Sequence, residues 1–313
     1  MIDIACVGIL VADVLTKTVD TFPKKGLLEQ VDSIELFSGG NAMTASINIK
    51  KIGLESAIIG KIGNDSFGDF LANCLVIAGV ETKGLSRDNN AQTSTSVLFS
   101  DKDGERTFFH CVGANGTFSY DDINWDVVNE AKIVFVTGTY LLNTFDGKQT
   151  VEFLKKCKEM GKITALDVCW DSKNRWGEIL NDAMPYIDYF MPSIDEAKMI
   201  AKEEEPEKIA DVFFERGVKK VIIKLGKIGC YIRESKDLEG IILPSYKSIK
   251  AVDTTGAGDS FCSGFLSALA KGKSFRECAE FANAVGAHCV MEKGATTGIK
   301  SYDEIIDFMK NNK

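Results

Sequence analysis

Val252-Asp253-Thr254-Thr255-Gly256-Ala257-Gly258-Asp259-Ser260-Phe261-Cys262-Ser263-Gly264-Phe265 is the stretch on which the reading of this 313-residue chain turns. Two glycines and an alanine let the backbone approach a ligand closely, and a helix starts immediately afterwards. Exposed N–H groups at a helix start, aligned with the helix dipole, form an anion site that needs no lysine. A carboxylate beside such a site is electrostatically awkward if the only task is to hold an anion. It makes sense if Asp259 takes a proton from a hydroxyl attacking that anion, a contribution of roughly 10²–10⁴-fold, while the amides stabilise charge on the transferred group. An isolated Asp before a helix is ordinarily an N-cap; the whole run shifts the reading. Rival motifs fail. Gly256-x-Gly258-x-x-Phe261 lacks the third glycine of a dinucleotide fingerprint, no G-x-x-x-x-G-K-[ST] exists, and the H-R-D and D-F-G signatures are missing. With only His110 and His288 in the chain, a Ser-His-Asp arrangement has no support.

Upstream, the pattern alternates. Strands are expected at Ile4–Leu10, Ser56–Ile62, Ile133–Val136, Ile163–Asp167, Tyr186–Met191 and Lys220–Leu225. Helices are expected at Ala42–Ile52 (ended by Gly53), Phe67–Ala78, Gly147–Met160, Asp195–Lys202 and Glu207–Arg216, then Gly256–Lys271, Phe275–Met291 and Tyr302–Lys310. Short apolar strands between amphipathic helices predict an α/β fold with a mostly parallel sheet covered on both faces. Val11–Phe37 and Gln92–Val112 break the alternation with β-branched and aromatic residues at near-period-two spacing. Asp101-Lys102-Asp103-Gly104 is a hairpin turn signal within the second. These stretches predict either a small inserted β element or extra edge strands on the main sheet. No repeat or linker divides the chain, so it reads as one domain.

Lys plus Arg number 37 against 45 Asp plus Glu, a net charge of −8, which gives no footprint for nucleic acid and discourages binding to an anionic membrane surface. The hydrophobic share of 45% and charged share of 26% exclude wholesale disorder. No apolar run is long enough to span a bilayer, and no basic region precedes the apolar start, as a secretory signal would require. The nine cysteines contain no C-x-x-C pair and mostly sit in apolar contexts. They read as free thiols in a reducing cytoplasm rather than a zinc site or disulfide framework.

Asp253-Thr-Thr-Gly-Ala-Gly-Asp259, with Gly264 downstream, resembles the C-terminal signature of the ribokinase/PfkB family of carbohydrate kinases. The resemblance extends along the chain: Asp13 after the first strand, Pro23-x-x-Gly26, Ser38-Gly39-Gly40, then Gly53, Gly60, Gly63, Asp65, Gly68 and Gly79-Val80, and later Gly113-Ala114-Asn115. It implies a three-layer αβα core with a small β lid, formed by insertions 11–37 and 92–112. By similarity, Asp259 is the catalytic base, and Gly256, Ala257 and Gly258 form the anion hole. Asp13, Gly39 and Gly40 hold sugar hydroxyls, a task that suits an acceptor-only carboxylate. The ATP site is implied at Lys224, Gly226, Gly229 and Asn283. A monovalent cation, K⁺, is implied at Asp253 and the carbonyls around Thr255, Cys289, Glu292 and Gly294, although Glu292 replaces the usual basic residue.

Two departures stand out. The N-terminal signature normally reads G-G-x-x-x-N, whereas Gly39-Gly40-Asn41-Ala42-Met43 is followed by Thr44. Either Asn41 compensates or the substrate differs from the common ones. The N-x-x-E element that organises Mg²⁺ and phosphates reads Ser193-Ile194-Asp195-Glu196, leaving Glu196 to hold Mg²⁺ through water. Arg106 and His110 lie in the predicted lid, where they either touch the substrate or face solvent; His288 reads as a packed helix residue. Three functions compete: a kinase of a small sugar or sugar-like alcohol, a nucleoside kinase with Phe108 or Phe109 as an aromatic clamp, and a non-catalytic sugar-binding regulator. The intact Asp259 and its glycines argue against the last. Lid strands form dimer contacts in relatives, so a homodimer is the expected assembly. A net charge of −8 cannot attract ATP, and Asp13, Asp253, Asp259 and Glu196 add local negative charge. Attraction must come from helix-start amides and bound cations.

Overall fold

The computed structural model describes residues 1–19, 21–100, 106–246 and 249–312, with the backbone alone for Arg106 and Phe108. Nine strands make the large sheet: β1 (Ile2–Gly8), β4 (Ser56–Gly63), β5 (Glu81–Asp88), β8 (Ala131–Thr139), β9 (Ile163–Val168), β10 (Tyr189–Phe190), β11 (Lys220–Lys224), β12 (Gly229–Arg233) and β13 (Ile241–Pro244). Their order is β13-β12-β11-β10-β9-β8-β1-β4-β5. All neighbours from β11 to β5 run parallel, and only β11–β12 and β12–β13 are antiparallel. Four strands, β2 (Val11–Lys17), β3 (Ser33–Gly39), β6 (Thr95–Ser100) and β7 (Arg106–Cys111), form a separate sheet in the order β3-β2-β6-β7. The two irregular stretches therefore do not add edge strands to the main sheet.

The helices are α1 (Asn41–Ile52), α2 (Ser66–Ile77), α3 (Trp125–Glu130), α4 (Lys148–Glu159), α5 (Trp176–Leu180), α6 (Ile194–Ala201), α7 (Pro206–Glu215), α8 (Ala257–Ala270), α9 (Phe275–Val290) and α10 (Tyr302–Asn311). Strand pleating sends alternate side chains to opposite faces, and the large sheet uses both. Ala5, Val7, Val134, Val136, Val221 and Ile223 pack with α3, α4, α6 and α7. Ile4, Cys6, Ile133, Phe135 and Ile222 pack with α1, α2, α8 and α9. This is a three-layer αβα core. Gly264 is required where α8 meets α9, because a Cβ there would lie 2.6 Å from Val285 Cγ2.

The expected elements appear within a few residues of their predicted bounds, with one contraction. Tyr186–Met191 shrinks to the two-residue β10, because Met184–Tyr186 forms a 3-10 turn instead. The turn expected at Asp101–Gly104 lies outside the described residues.

Candidate active site

The C-terminal ends of parallel strands and the helix starts that follow them meet in one place, where a doubly wound sheet exposes its crevice. From β9 comes Asp167, from β11 Lys224, from the start of α6 Glu196, and from the first turn of α8 Asp259. The helix α8 begins at Gly256, held in the left-handed region at φ 74°, and no side chain caps its N-terminal amides. Asp259 is thus not an N-cap. It lies in the first turn, and its Oδ1 accepts a 2.7 Å hydrogen bond from Asn41 Nδ2. Burial raises the Asp259 pKa above the ordinary carboxylate range and Glu196 adds to the rise, against the opposing pull of Lys224 and Asn41. A half-buried carboxylate held this way is a better proton acceptor than a fully exposed one.

Lys224 is not a solvated surface lysine. Its Nζ lies 2.6 Å from Asp167 Oδ2, and a Cβ built on Gly258 would sit 3.5 Å from the same nitrogen. Burial disfavours its charge, but the carboxylates of Asp167 and Glu196 outweigh burial, and its pKa is raised. The ammonium therefore stays charged beside the start of α8. The bridge between Ser193 and Lys224 sets α6 alongside. Ser193 and Glu196 form a capping box: Ser193 N donates to Glu196 Oε2 at 2.8 Å and Glu196 N donates to Ser193 Oγ at 3.4 Å. The serine hydroxyl is thereby spent on the helix end. Glu196 keeps its other oxygen available; burial first and Asp167 second raise its pKa. A shallow cavity of about 580 Å³ opens beside it, walled partly by Trp170 and Lys198.

On the other side of the crevice, Asn115 holds the β1–β2 connection by taking a hydrogen bond from Leu10 N (3.2 Å) and giving one to Leu10 O (2.9 Å). Asp13 follows. Its carboxylate lies against Gly39, where a Cβ would come within 2.1 Å of Oδ2, so any other residue would push the carboxylate out of place. Burial pushes the Asp13 pKa up to about 6, with a hydrogen bond from Ser96 opposing. Gly40, at φ 89°, starts α1 where a Cβ would strike the Ile9 carbonyl at 2.6 Å. Thr44 is buried inside the first turn of α1. Cross-strand register puts Phe37, Asp13, Ser96 and His110 in one row of the small sheet, and Ser96 Oγ lies 3.1 Å from His110 Nδ1. Phe109 pairs with Val97 in the next row, so it points away from Asp13 and cannot clamp a base there. The side chains of Arg106 and Phe108 lie outside what is described.

The remaining predicted residues fall into two groups. Asp253 joins two loops: Oδ1 accepts from Thr255 N (3.0 Å) and Oγ1 (2.7 Å), and Oδ2 accepts from Gly294 N (3.0 Å). Cys289 Sγ donates to the Thr255 carbonyl at 3.4 Å, and Glu292 is exposed on the second loop. Both oxygens of Asp253 thus accept from donors of these two loops. Gly226 and Gly229 flank the turn after β11, and Asn283 spends its amide on the carbonyls of Leu243 (3.2 Å) and Pro244 (3.4 Å), holding β13 to α9. His288 is buried with its ring 4.5 Å from that of Phe308, a packed residue as expected. Asp167 and Cys169 are the site residues that the sequence reading passed over. A carboxylate closing an otherwise apolar strand was the available signal for the first.

Comparison with known proteins matches residues 1–301 to the model of the pfkB family of carbohydrate kinases. The chain belongs to that family. It is 30% identical over 257 residues to an uncharacterised sugar kinase of Archaeoglobus fulgidus (81% of this chain, 98% of that protein). It is 31% identical over 288 residues to probable fructokinase-5 of Arabidopsis thaliana (87% and 88%). The structure of Arabidopsis thaliana ribokinase complexed with ribose and ATP superposes with a TM-score of 0.86 at 25% identity, covering 99% of both chains. The family and the fold thus agree with the resemblance carried by the Asp253–Asp259 run, and the chain is an ATP-dependent carbohydrate kinase. Among the described residues no helix is long and apolar enough to cross a membrane.

Proposed function

We propose that this kinase transfers the γ-phosphoryl group of ATP to a hydroxyl of a small sugar or sugar-like alcohol held between Asp13 and Asp259. The observation that carries the reading is the pairing of a helix start that no side chain caps with a half-buried, hydrogen-bonded carboxylate three residues into the same stretch. Asp13, Gly39 and Gly40 orient the acceptor. Asp259 removes the proton from its attacking hydroxyl. The amides of Gly256, Ala257 and Gly258, with the Lys224 ammonium beside them, stabilise the charge on the transferred group. Positioning and charge stabilisation supply most of the acceleration.

Mg²⁺ supplies charge neutralisation to the phosphates when bound, with Glu196 holding it through water. Among the described residues no three His, Cys, Asp or Glu side chains form a metal cage. K⁺ would be held by Asp253 and the loop carbonyls. The whole chain acts as one domain, with 11–37 and 92–112 as the lid that closes over the acceptor and excludes water. The lid's outer face, which carries Ile34, Leu36, Val97, Phe99 and Phe109, joins a second copy of this chain. The acidic balance of the chain leaves nucleic acid without a basic patch to bind, and the free thiols suit the cytoplasm.

The test is ATP turnover against pentoses, hexoses, keto-deoxy acids and nucleosides, in K⁺ and in a large organic cation. A carbohydrate is expected to be the best acceptor, with faster turnover in K⁺. No transfer to any carbohydrate would overturn the substrate class. Equal rates in the two cations would remove the Asp253 loop from the mechanism.

A further inference from the structure

Asn41 was expected on the sugar side of the site, yet its amide is occupied elsewhere. Nδ2 donates to Asp259 Oδ1 at 2.7 Å, and Oδ1 accepts from Cys169 Sγ at 3.1 Å. Three elements distant in sequence are tied by these two bonds: the start of α1, the segment after β9 and the first turn of α8. We propose that Cys169 and Asn41 form a positioning relay that fixes the rotamer of Asp259 and commits its Oδ1, leaving Oδ2 to take the proton from the acceptor hydroxyl. The proposal rests on Asp259 being the base. Asn41 meets Asp259 at Oδ1, and Cys169 acts on it through Asn41.

The direction of the relay follows from which groups can donate. An ionised carboxylate only accepts, so the NH2 end of the amide must face Asp259. The amide oxygen is then turned towards Cys169 and needs a donor, which a thiol supplies and a thiolate does not. Burial, followed by the charges of Glu196, Asp259 and Asp167, holds the Cys169 thiol protonated well above its usual range. The thiol is therefore a fixed donor rather than a nucleophile. Without it the amide oxygen loses its donor, and the bond to Asp259 alone is left to hold the amide in place. The other charged groups acting on Asp259 are Lys224, which favours its ionised form, and Glu196, which disfavours it. Asp167 lies within range of both. The buried thiols of Cys6 and Cys262 feel the same charge and stay neutral.

The experiment measures kcat against pH at saturating ATP and acceptor for the full-length wild type and the variants Asn41→Ala, Cys169→Ala, Cys169→Ser and Asp259→Asn. Alongside it, the Asp259 carboxyl is titrated by ¹³C NMR, and melting curves confirm that each variant is folded. Asn41→Ala removes a hydrogen bond to a charged group and is expected to lower kcat roughly 10- to 100-fold. It also moves the acid limb to higher pH, because the lost donor favoured the ionised base. Cys169→Ala is expected to cost about 3- to 10-fold, the scale of one neutral hydrogen bond. Cys169→Ser, which keeps a donor, restores both rate and limb. The relay is refuted if Asn41→Ala raises only the KM of the acceptor with kcat and acid limb unchanged, or if Cys169→Ala matches wild type. Wild-type turnover by Asp259→Asn would instead sink the base assignment. In that case an unmoved carboxyl titration in Asn41→Ala would separately dispose of the relay.

Discussion

Strands β1 and β2 are each seven residues long and only Ile9 and Leu10 separate them, yet they belong to different sheets. Ile-Asp-Ile-Ala-Cys-Val-Gly is buried nearly throughout and feeds apolar side chains to the cores on both faces of the large sheet. Val-Ala-Asp-Val-Leu-Thr-Lys is half-exposed, and its pleat turns Asp13 one way and Val14 the other. The difference is one of purpose. A strand covered by helices on both sides has no free face for a ligand, so the large sheet can act only through its strand ends, where Asp167 and Lys224 sit. Of the small sheet's two faces, one carries the polar row through Asp13, Ser96 and His110, and the other an apolar patch around Phe99 and Phe109. On the proposed reading, chemistry belongs to the rigid layer, and recognition and assembly to the thin one.

The sharpest way to break that division is Asp259→Asn. It removes the base while keeping the shape, and kcat should fall by at least about two orders of magnitude with acceptor binding retained. The same change relieves the burial of a charge that raises the Asp259 pKa, so the melting temperature should not drop. Steady-state kinetics and a thermal melt on one sample decide it. A variant that is both unstable and slow would mean that Asp259 belongs to the framework rather than to the chemistry.

Next comes Asp13, on the recognition side. Its pKa of about 6 means that the acceptor-only carboxylate is lost as pH falls through that value. The KM of the sugar should therefore rise below about pH 6 while kcat follows the separate titration of Asp259. Asp13→Asn should lower kcat/KM roughly 10- to 100-fold, the scale of hydrogen bonds to a charged group, and abolish that limb. If the limb near pH 6 survives in the variant, another group produces it.

Much of this was legible in the sequence, and the reason is physical. The buried strands are continuous apolar runs, and the glycines of the 252–265 stretch are there because the backbone needs them, so both leave marks in the chain itself. β5, Glu-Thr-Lys-Gly-Leu-Ser-Arg-Asp, left none: it is the last strand of the sheet and carries charge as exposed edges do. Thr44 and Ser193 read as losses of amide side chains, and the structure explains the second, since Ser193 closes a capping box with Glu196. Cys169 could not be read, because only folding brings the end of β9 against α8 and α1, and Asp167 left only the mark of a carboxylate near the end of an apolar strand. Lys224 read as an ATP-site residue, but its ion pair with Asp167 left no mark for the same reason: the partner lies 57 residues away.

The smallest effect on catalysis should come from the outer face of the small sheet. Phe99 sits between Phe22 and Phe109, with ring centroids 5.0 and 6.1 Å away, and Phe22 and Phe109 are both more than half exposed. Aromatic side chains left in water on a sheet face are the raw material of an isologous contact, in which the same patch meets itself across a two-fold axis. Phe99→Ser should weaken self-association by at least about tenfold, since losing one buried aromatic anchor costs on the order of 2 kcal/mol or more. Sedimentation across a concentration series would measure it. Because Phe99 points away from the Asp13 row, kcat should stay within about threefold of wild type at a saturating acceptor concentration, the cost of a lid that is less well supported. A wild type that is monomeric at every concentration would remove the second copy. A collapse of kcat in the variant would show that the two faces of the small sheet are not independent, and that assembly itself holds Asp13 over the acceptor.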